Sequence, residues 1–314
     1  MAFNVVRYRH AGRVGWGVVR AGTITPLADE FPTTGDLIRH VSTTAPSTMS
    51  SVSARDIAIL SPITRNQQFV CLGANYRQHM IESGMDPDVK SFNMVFTKAP
   101  SCIVPADSDV VRPRGVRFLD YEIELGLVIR RDITASTVVT DADLHEFIAG
   151  AVIVNDYSAR DVQIPQMQFY KGKSFRTFGP VGPYLCLLEA GDMAALKDLN
   201  LTLTVNGAVR QKDSTRNLVY GPAETLTELS GVHDLHPGDL LSTGTPAGCA
   251  LSIPSPAMQR IAALLPERMR WEAFMRVQAK RSGYLNPGDV VEASIRSDDG
   301  AIDLGVQRNV VVEG

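Results

Sequence analysis

From residue 66 onward the chain is built of short apolar runs, each stopped by Gly, Pro, Asn or Asp. QQFVCLG, FIAGAVIVND, VGPYLCLLEA, LTLTVNG, GDLLSTGTP and GDVVEASIR have strand length, and their spacing predicts a mostly β (α+β) fold. A barrel or a folded-over sheet with a few helices would both fit. Residues 1–65 read as a separate, smaller β-rich unit. There FNVVRY and GWGVVR predict strands punctuated by glycine, TGDLIRHV predicts one capped helix, and SPITRNQ has the turn chemistry of a linker to residues 66–314. Two Pro-Gly turns, His236-Pro237-Gly238-Asp239 and Asn286-Pro287-Gly288-Asp289, each lead into an apolar strand. Between them, 254–281 is the least β-like stretch. Ile261, Leu264 and Leu265, then Trp271, Phe274, Met275 and Gln278, recur at helical spacing on either side of Pro266. That pattern predicts two short amphipathic helices inserted before the last strands.

One strand carries unusual charge. In FLDYEIELGLVIR, Asp120, Glu122 and Glu124 alternate with Tyr121, Ile123 and Leu125, so the three acids share a face. Like charges at i and i+2 repel unless water or a cation lies between them. A wet acidic face is the commoner origin of such a pattern. Here, however, the strand runs on as Gly-Leu-Val-Ile, apolar on both faces, as a buried strand does. A second apolar run, FIAGAVIVND, stops abruptly at Asn155-Asp156, with Arg160 and Gln163 following. The i, i+4, i+7 spacing puts Asp156, Arg160 and Gln163 on one side of a helical turn. This reads equally as a metal ligand with substrate clamps behind it, or as an N-capping aspartate in an ordinary Asp–Arg pair. If Glu122, Glu124 and Asp156 converge, their oxygens suit a hard cation, Mg²⁺ or else Mn²⁺ or Ca²⁺, and no His or Cys cluster in the sequence points to zinc or copper. Three protein ligands would leave room for water and substrate.

Composition narrows the function classes. Against 34 Asp and Glu stand 31 Lys and Arg, a net charge of −3, so there is no cationic footprint for nucleic acid or anionic lipid. No apolar run is long enough for a membrane span, and Arg7, Arg9 and Arg13 come too early for a secretory signal. Cys71, Cys102, Cys186 and Cys249 are scattered without a CxxC pair, as reduced thiols in a cytoplasmic protein would be.

Five stretches, taken in order, resemble the fumarylacetoacetate hydrolase family: CLGANYRQHMIE (71–82), DYEIEL (120–125), VNDYSARDVQ (154–163), KGKSFRTFGPVGP (171–183) and STGTPAG (242–248). The similarity runs from Gln68 to the C-terminus, apart from the inserted helices. It implies a mostly β fold with a small N-terminal domain, a homodimer, and Mg²⁺ or a similar cation on Glu122, Glu124 and Asp156. By the same resemblance, Lys173 steadies a substrate oxygen near the metal, and Tyr76, Arg160, Gln163 and Thr245 are substrate contacts. His79 and Glu82, spaced i, i+3, resemble a water-activating dyad in a mobile segment that ends at Ser83-Gly84. Read without the family, Lys173 is a surface lysine and His79 a helix histidine. The chain departs from the family in three places: Arg176 replaces a frequent acid, Cys249-Ala250 replaces a glycine-rich ending, and 254–281 is absent from compact members. The implied activity is metal-dependent hydrolysis of a C–C bond in an acylpyruvate or related β-diketo acid, through a metal-stabilised enolate. The alternative is an isomerase, hydratase or decarboxylase of 2-oxo-dicarboxylic acids, oxaloacetate-like or 2-hydroxyhepta-2,4-diene-1,7-dioate-like. A non-catalytic binder on a degenerate scaffold is disfavoured by the intact ligand set.

Overall fold

The apolar runs pair into two main sheets in the computed structural model, which describes residues 2–20, 22–41, 57–252 and 264–314. The larger is ten-stranded. Its order is Thr23–Pro26, Arg13–Arg20, Phe3–His10, Leu185–Leu187, Ile148–Asn155, Ile123–Ile129, Leu240–Ser242, Phe69–Gly73 and Met94–Thr97, with Ala58–Leu60 pairing off Phe3–His10. The smaller, five-stranded sheet runs Ala208–Ser214, Asn200–Val205, Val290–Arg296, Asp303–Glu313 and Val110–Arg112. Among the described residues the end strands of each sheet do not pair with one another, so neither sheet closes into a barrel. The fold is mostly β with few helices, as the run lengths predict.

Ile123–Ile129 and Ile148–Asn155 are buried at every residue, which explains their lack of polar alternation beyond Glu124. The N-terminal strands continue the large sheet through the pairing of Phe3–His10 with Leu185–Leu187. Val5, Trp16, Leu37 and Ile38 share one apolar cluster with Phe69, Val128 and Val152. Full burial of each such side chain contributes about 1.5–3 kcal/mol. The predicted helix is Thr34–Val41, capped reciprocally: Asp36 N–H donates to Thr33 Oγ1 at 3.2 Å, and Thr33 N–H donates to Asp36 Oδ2 at 3.1 Å.

The two Pro-Gly turns close alike. His236 N–H donates to Asp239 Oδ2 at 2.8 Å, and Asn286 N–H donates to Asp289 Oδ2 at 2.7 Å. Of the two inserted helices, the second is found at Glu267–Gln278, where Met275 packs against the main core and Tyr284 Oη donates to buried Gln278 Oε1 at 2.7 Å. The first was expected around Ile261, which lies outside the described residues; Leu264 and Leu265 are described and lie in a turn.

Candidate active site and metal centre

Strand register delivers the carboxylates. The pairing of Ile123 with Asn155 sets Asp156 beside Glu122, and Asp156 N–H donates to Glu122 O at 2.8 Å while Glu122 N–H donates to Asn155 Oδ1 at 3.0 Å. Glu124 lies two residues on, inside strand Ile123–Ile129. On its other side, Ser242 Oγ and Gly244 N–H donate to Glu124 Oε2 at 2.5 and 3.0 Å. One oxygen from each of Glu122, Glu124 and Asp156 falls within 4.8 Å of the other two. Asp120 does not join them. The strand is interrupted at Tyr121, and Asp120 turns to the amides of Ala250 and Leu251, which donate to it at 2.8 and 3.0 Å. The helix after Asp156 begins only at Arg160 with Ala159 as its cap, so Asp156 is no N-cap; it stands at the strand exit.

Three buried cations face these four acids. Lys173 Nζ donates to Glu122 Oε2 at 2.5 Å, Asp156 Oδ2 at 2.6 Å and Ser158 Oγ at 2.8 Å. Lys173 is therefore no surface residue. Gly172 makes this possible, because a Cβ there would lie 2.6–2.8 Å from Gln163 Cβ, Cα and N and would push helix Phe169–Lys173 off helix Arg160–Gln166. Arg160 donates through Nε to Asp120 at 2.9 Å, through Nη1 to Gln163 Oε1 at 2.8 Å and through Nη2 to Glu122 Oε1 at 2.5 Å. With Oε1 so occupied, Gln163 is left with its amide N–H groups to offer. The third cation, Lys98, escaped the sequence reading. It is wholly buried, pairs with Asp156 Oδ1 and donates to Phe178 O at 2.8 Å. One lysine after the short strand Met94–Thr97 carries no periodic signal, and its partner is 58 residues away.

Position sets the protonation states. Burial raises the Glu122 carboxyl, but Arg160 and Lys173 outweigh it and hold that group well below the usual carboxylate range. Glu124 has no such cation in contact among the described residues, and burial, then Asp156 and Glu122, push it up to about 8. Burial lowers the His79 imidazole, so it is neutral at pH 7.

A cavity of about 630 Å³ opens over the cluster, with Glu122, Glu124, Lys173, Gln163, Thr245 and Cys249 in its wall. His79 and Glu82, from helix Arg77–Glu82, also line it, but no hydrogen bond joins them among the described residues, and His79 Nδ1 is buried without a partner. Met80 anchors that helix at 2% exposure, while Glu82 is exposed. Thr245 Oγ1 donates to Ile123 O at 2.9 Å and accepts from Gln211 Nε2 at 2.8 Å. Tyr76 is not brought to the cavity: its ring is fully buried in the main core. Arg176 is exposed and away from the cavity wall. Met94, Phe96 and Phe169 form the apolar side, the last two rings 5.3 Å apart.

The family described as Fumarylacetoacetate (FAA) hydrolase C-terminal matches residues 68–312. The chain belongs to the fumarylacetoacetate hydrolase family. Oxaloacetate tautomerase YisK of Bacillus subtilis (strain 168) is 34% identical over 211 residues, which cover 66% of this chain and 68% of that one. The crystal structure of 2-hydroxyhepta-2,4-diene-1,7-dioate isomerase from Mycobacterium marinum is 25% identical with a TM-score of 0.72, over 99% of this chain and 98% of that one. Fumarylacetoacetate hydrolase (EaFAH) from the psychrophile Exiguobacterium antarcticum is 25% identical with a TM-score of 0.72, over 99% and 100%.

The donor set of this fumarylacetoacetate hydrolase-family chain fits a hard divalent cation. Three carboxylates converge, and Glu124, raised first by burial and then by Asp156 and Glu122, forms no ion pair with a lysine or arginine among the described residues. Cation binding must then displace the Glu124 proton. Mn²⁺ affinity is expected to rise as pH climbs from about 6 to about 8, with proton release that fades above the Glu124 value. The metal-free fold should weaken over the range from 4.5 to about 8, because the unfolded carboxyl ionises first. Titration calorimetry in buffers of different ionisation enthalpy reads the protons, and Glu124→Gln should bind more weakly and release none. A pH-independent affinity would take Glu124 out of the ligand set.

Proposed function

We propose that the chain is a divalent-metal-dependent enzyme that converts small 2-oxo acids through an enolate, with proton transfer in tautomerisation or isomerisation as its reaction. The observation carrying this reading is the convergence of Glu122, Glu124 and Asp156 beside a cavity whose wall also holds a buried ammonium and a neutral imidazole. A bound Mg²⁺ or Mn²⁺ would supply Lewis-acid polarisation of a substrate carbonyl. Lys173 Nζ adds positive charge where negative charge develops on oxygen. Gln163 N–H groups, oriented by Arg160, bind the substrate, so Arg160 positions rather than clamps. Neutral His79 takes the proton from the carbon beside the carbonyl. Phe96 and Phe169 exclude water. The names of the tautomerase and isomerase relatives support the same class of chemistry.

Hydrolysis of an acylpyruvate is the second reading, favoured by the presence of both His79 and Glu82 in the cavity wall. A turnover panel of enol-oxaloacetate, unsaturated 2-oxo diacids and acylpyruvates, with Mg²⁺ and after chelation, decides between them. Metal-dependent tautomerisation without C–C cleavage supports the first reading; cleavage in preference to proton transfer overturns it. Arg281 follows the inserted helix and lines the cavity. Arg281→Ala should raise KM for diacids about tenfold, the scale of one charge-assisted hydrogen bond, and leave mono-acids nearly unchanged. A homodimer belongs to the same proposal, supported by exposed Val89, Phe92, Met167 and Tyr170 near the cavity-forming elements. A cytoplasmic setting accords with four free cysteines.

A further inference from the structure

The sequence shows no His–Cys cluster, yet the fold makes one. His79 on helix Arg77–Glu82, Glu122 before strand Ile123–Ile129, and Cys249 in the loop after Leu240–Ser242 each place a ligand atom within 4.8 Å of the other two. Cys249 Sγ lies 3.8 Å from Glu122 Oε1. We propose that His79, Glu122 and Cys249 form a second, softer cation site that binds Zn²⁺ and blocks the reaction when filled.

Four observations carry this. The donor set of one nitrogen, one oxygen and one sulfur suits Zn²⁺ or Co²⁺ and is the wrong set for Mg²⁺, which takes oxygen. All three residues line the cavity, which gives an ion its entry path. Among the described residues, ring atom Nδ1 of His79 is buried with no hydrogen-bond partner, and the thiol's other polar neighbour, Gln211 Nε2, is 3.7 Å away, a weak competitor. Finally, the thiol is held in place. Gly248 has φ +106°, and a Cβ there would sit 2.1 Å from Arg210 O, so the loop carrying Cys249 packs directly on the neighbouring backbone.

On binding, the thiol S–H bond breaks, a sulfur–zinc bond forms and the proton leaves to solvent. Glu122 is shared between the two sites, and the imidazole proposed as base becomes a ligand. A filled soft site therefore removes the base and draws on a ligand of the hard site.

The experiment uses the full-length, correctly folded protein with Mg²⁺ in excess. Co²⁺ is titrated while the thiolate-to-cobalt charge-transfer absorption is followed, and Zn²⁺ affinity is measured by equilibrium dialysis. Wild type should show the absorption and retain Zn²⁺ against Mg²⁺. Cys249→Ser should lose the absorption and weaken Zn²⁺ by at least about tenfold, since even an outer-shell partner is worth about 10–100-fold. It should need correspondingly more Zn²⁺ for half-inhibition, read relative to its own zinc-free rate. His79→Ala should weaken Zn²⁺ similarly, with circular dichroism confirming that both variants fold. Cobalt bound without thiolate absorption, or unchanged Zn²⁺ affinity in Cys249→Ser, overturns the proposal. The binding readout holds whichever reaction the enzyme runs, and Glu124→Gln should spare it, so failure at the hard site is told apart from failure at this one.

Discussion

Lys173→Ala is expected to remove turnover by about 10²–10³-fold, the worth of one preorganised charge at a developing oxyanion, and to destabilise the metal-free protein. The side chain is 3% exposed and its ammonium holds Glu122, Asp156 and Ser158 together. Taking one partner from a buried ion pair costs about 3–5 kcal/mol, because the carboxylates left behind stay desolvated. Lys98 still neutralises Asp156, and Arg160 still neutralises Glu122, so the loss should lie toward the lower end. Added Mg²⁺ should restore much of the stability, since it compensates the same oxygens, without restoring turnover. Lys173→Met, which keeps bulk but not charge, should behave the same way. Thermal melts with and without Mg²⁺ read the first effect, and steady-state kinetics the second. Wild-type stability in the metal-free alanine variant would show that Lys173 is not what compensates the acids.

His79→Ala should lower proton transfer or water activation by about 10²–10⁴-fold, the usual range for a general base. Affinity at the oxygen-only site should survive, because His79 is not among Glu122, Glu124 and Asp156. Burial depresses the imidazole below its ordinary 6.5, so the base is already neutral at pH 7. The acid limb of kcat/KM should therefore fall below pH 6.5 in wild type and vanish in the variant. Glu82→Gln separates the two readings of the site. Glu82 makes no bond to His79 among the described residues, so a dyad would form only with substrate present. If the enzyme is a hydrolase, Glu82→Gln should slow acylpyruvate cleavage well beyond its effect on enol–keto exchange. If His79→Ala leaves both reactions near wild type while Lys173→Ala abolishes them, His79 is no base at all.

Much of the candidate metal centre was legible because strands impose a local rule. Alternation with period two put Glu122 and Glu124 on one face, and the apolar run after them marked the strand as buried. Asp156 was legible as an acid at the end of a second buried run. The helix Glu267–Gln278 and the cap at Thr33 followed equally local patterns. The same rule misled at Asp120, where the strand breaks and the carboxylate turns to backbone amides 130 residues on. It also had nothing to say about Tyr76, whose burial depends on which surfaces close over it.

What the sequence determined by itself was the family, the mostly β class and the side-chain types available to the site. Only the tertiary structure decided how those charges are paired. It brought Lys98 and Lys173 from separate segments onto opposite oxygens of Asp156, spent Arg160 on protein partners, left Glu124 short of a cation, and set Cys249 beside Glu122 across 127 positions of chain. The reason is physical. Side-chain direction along a strand or helix repeats with the backbone, so neighbours in sequence report it. The energy of a charge depends on its distance from other charges and from water, and both are set by residues that meet only when the sheets close.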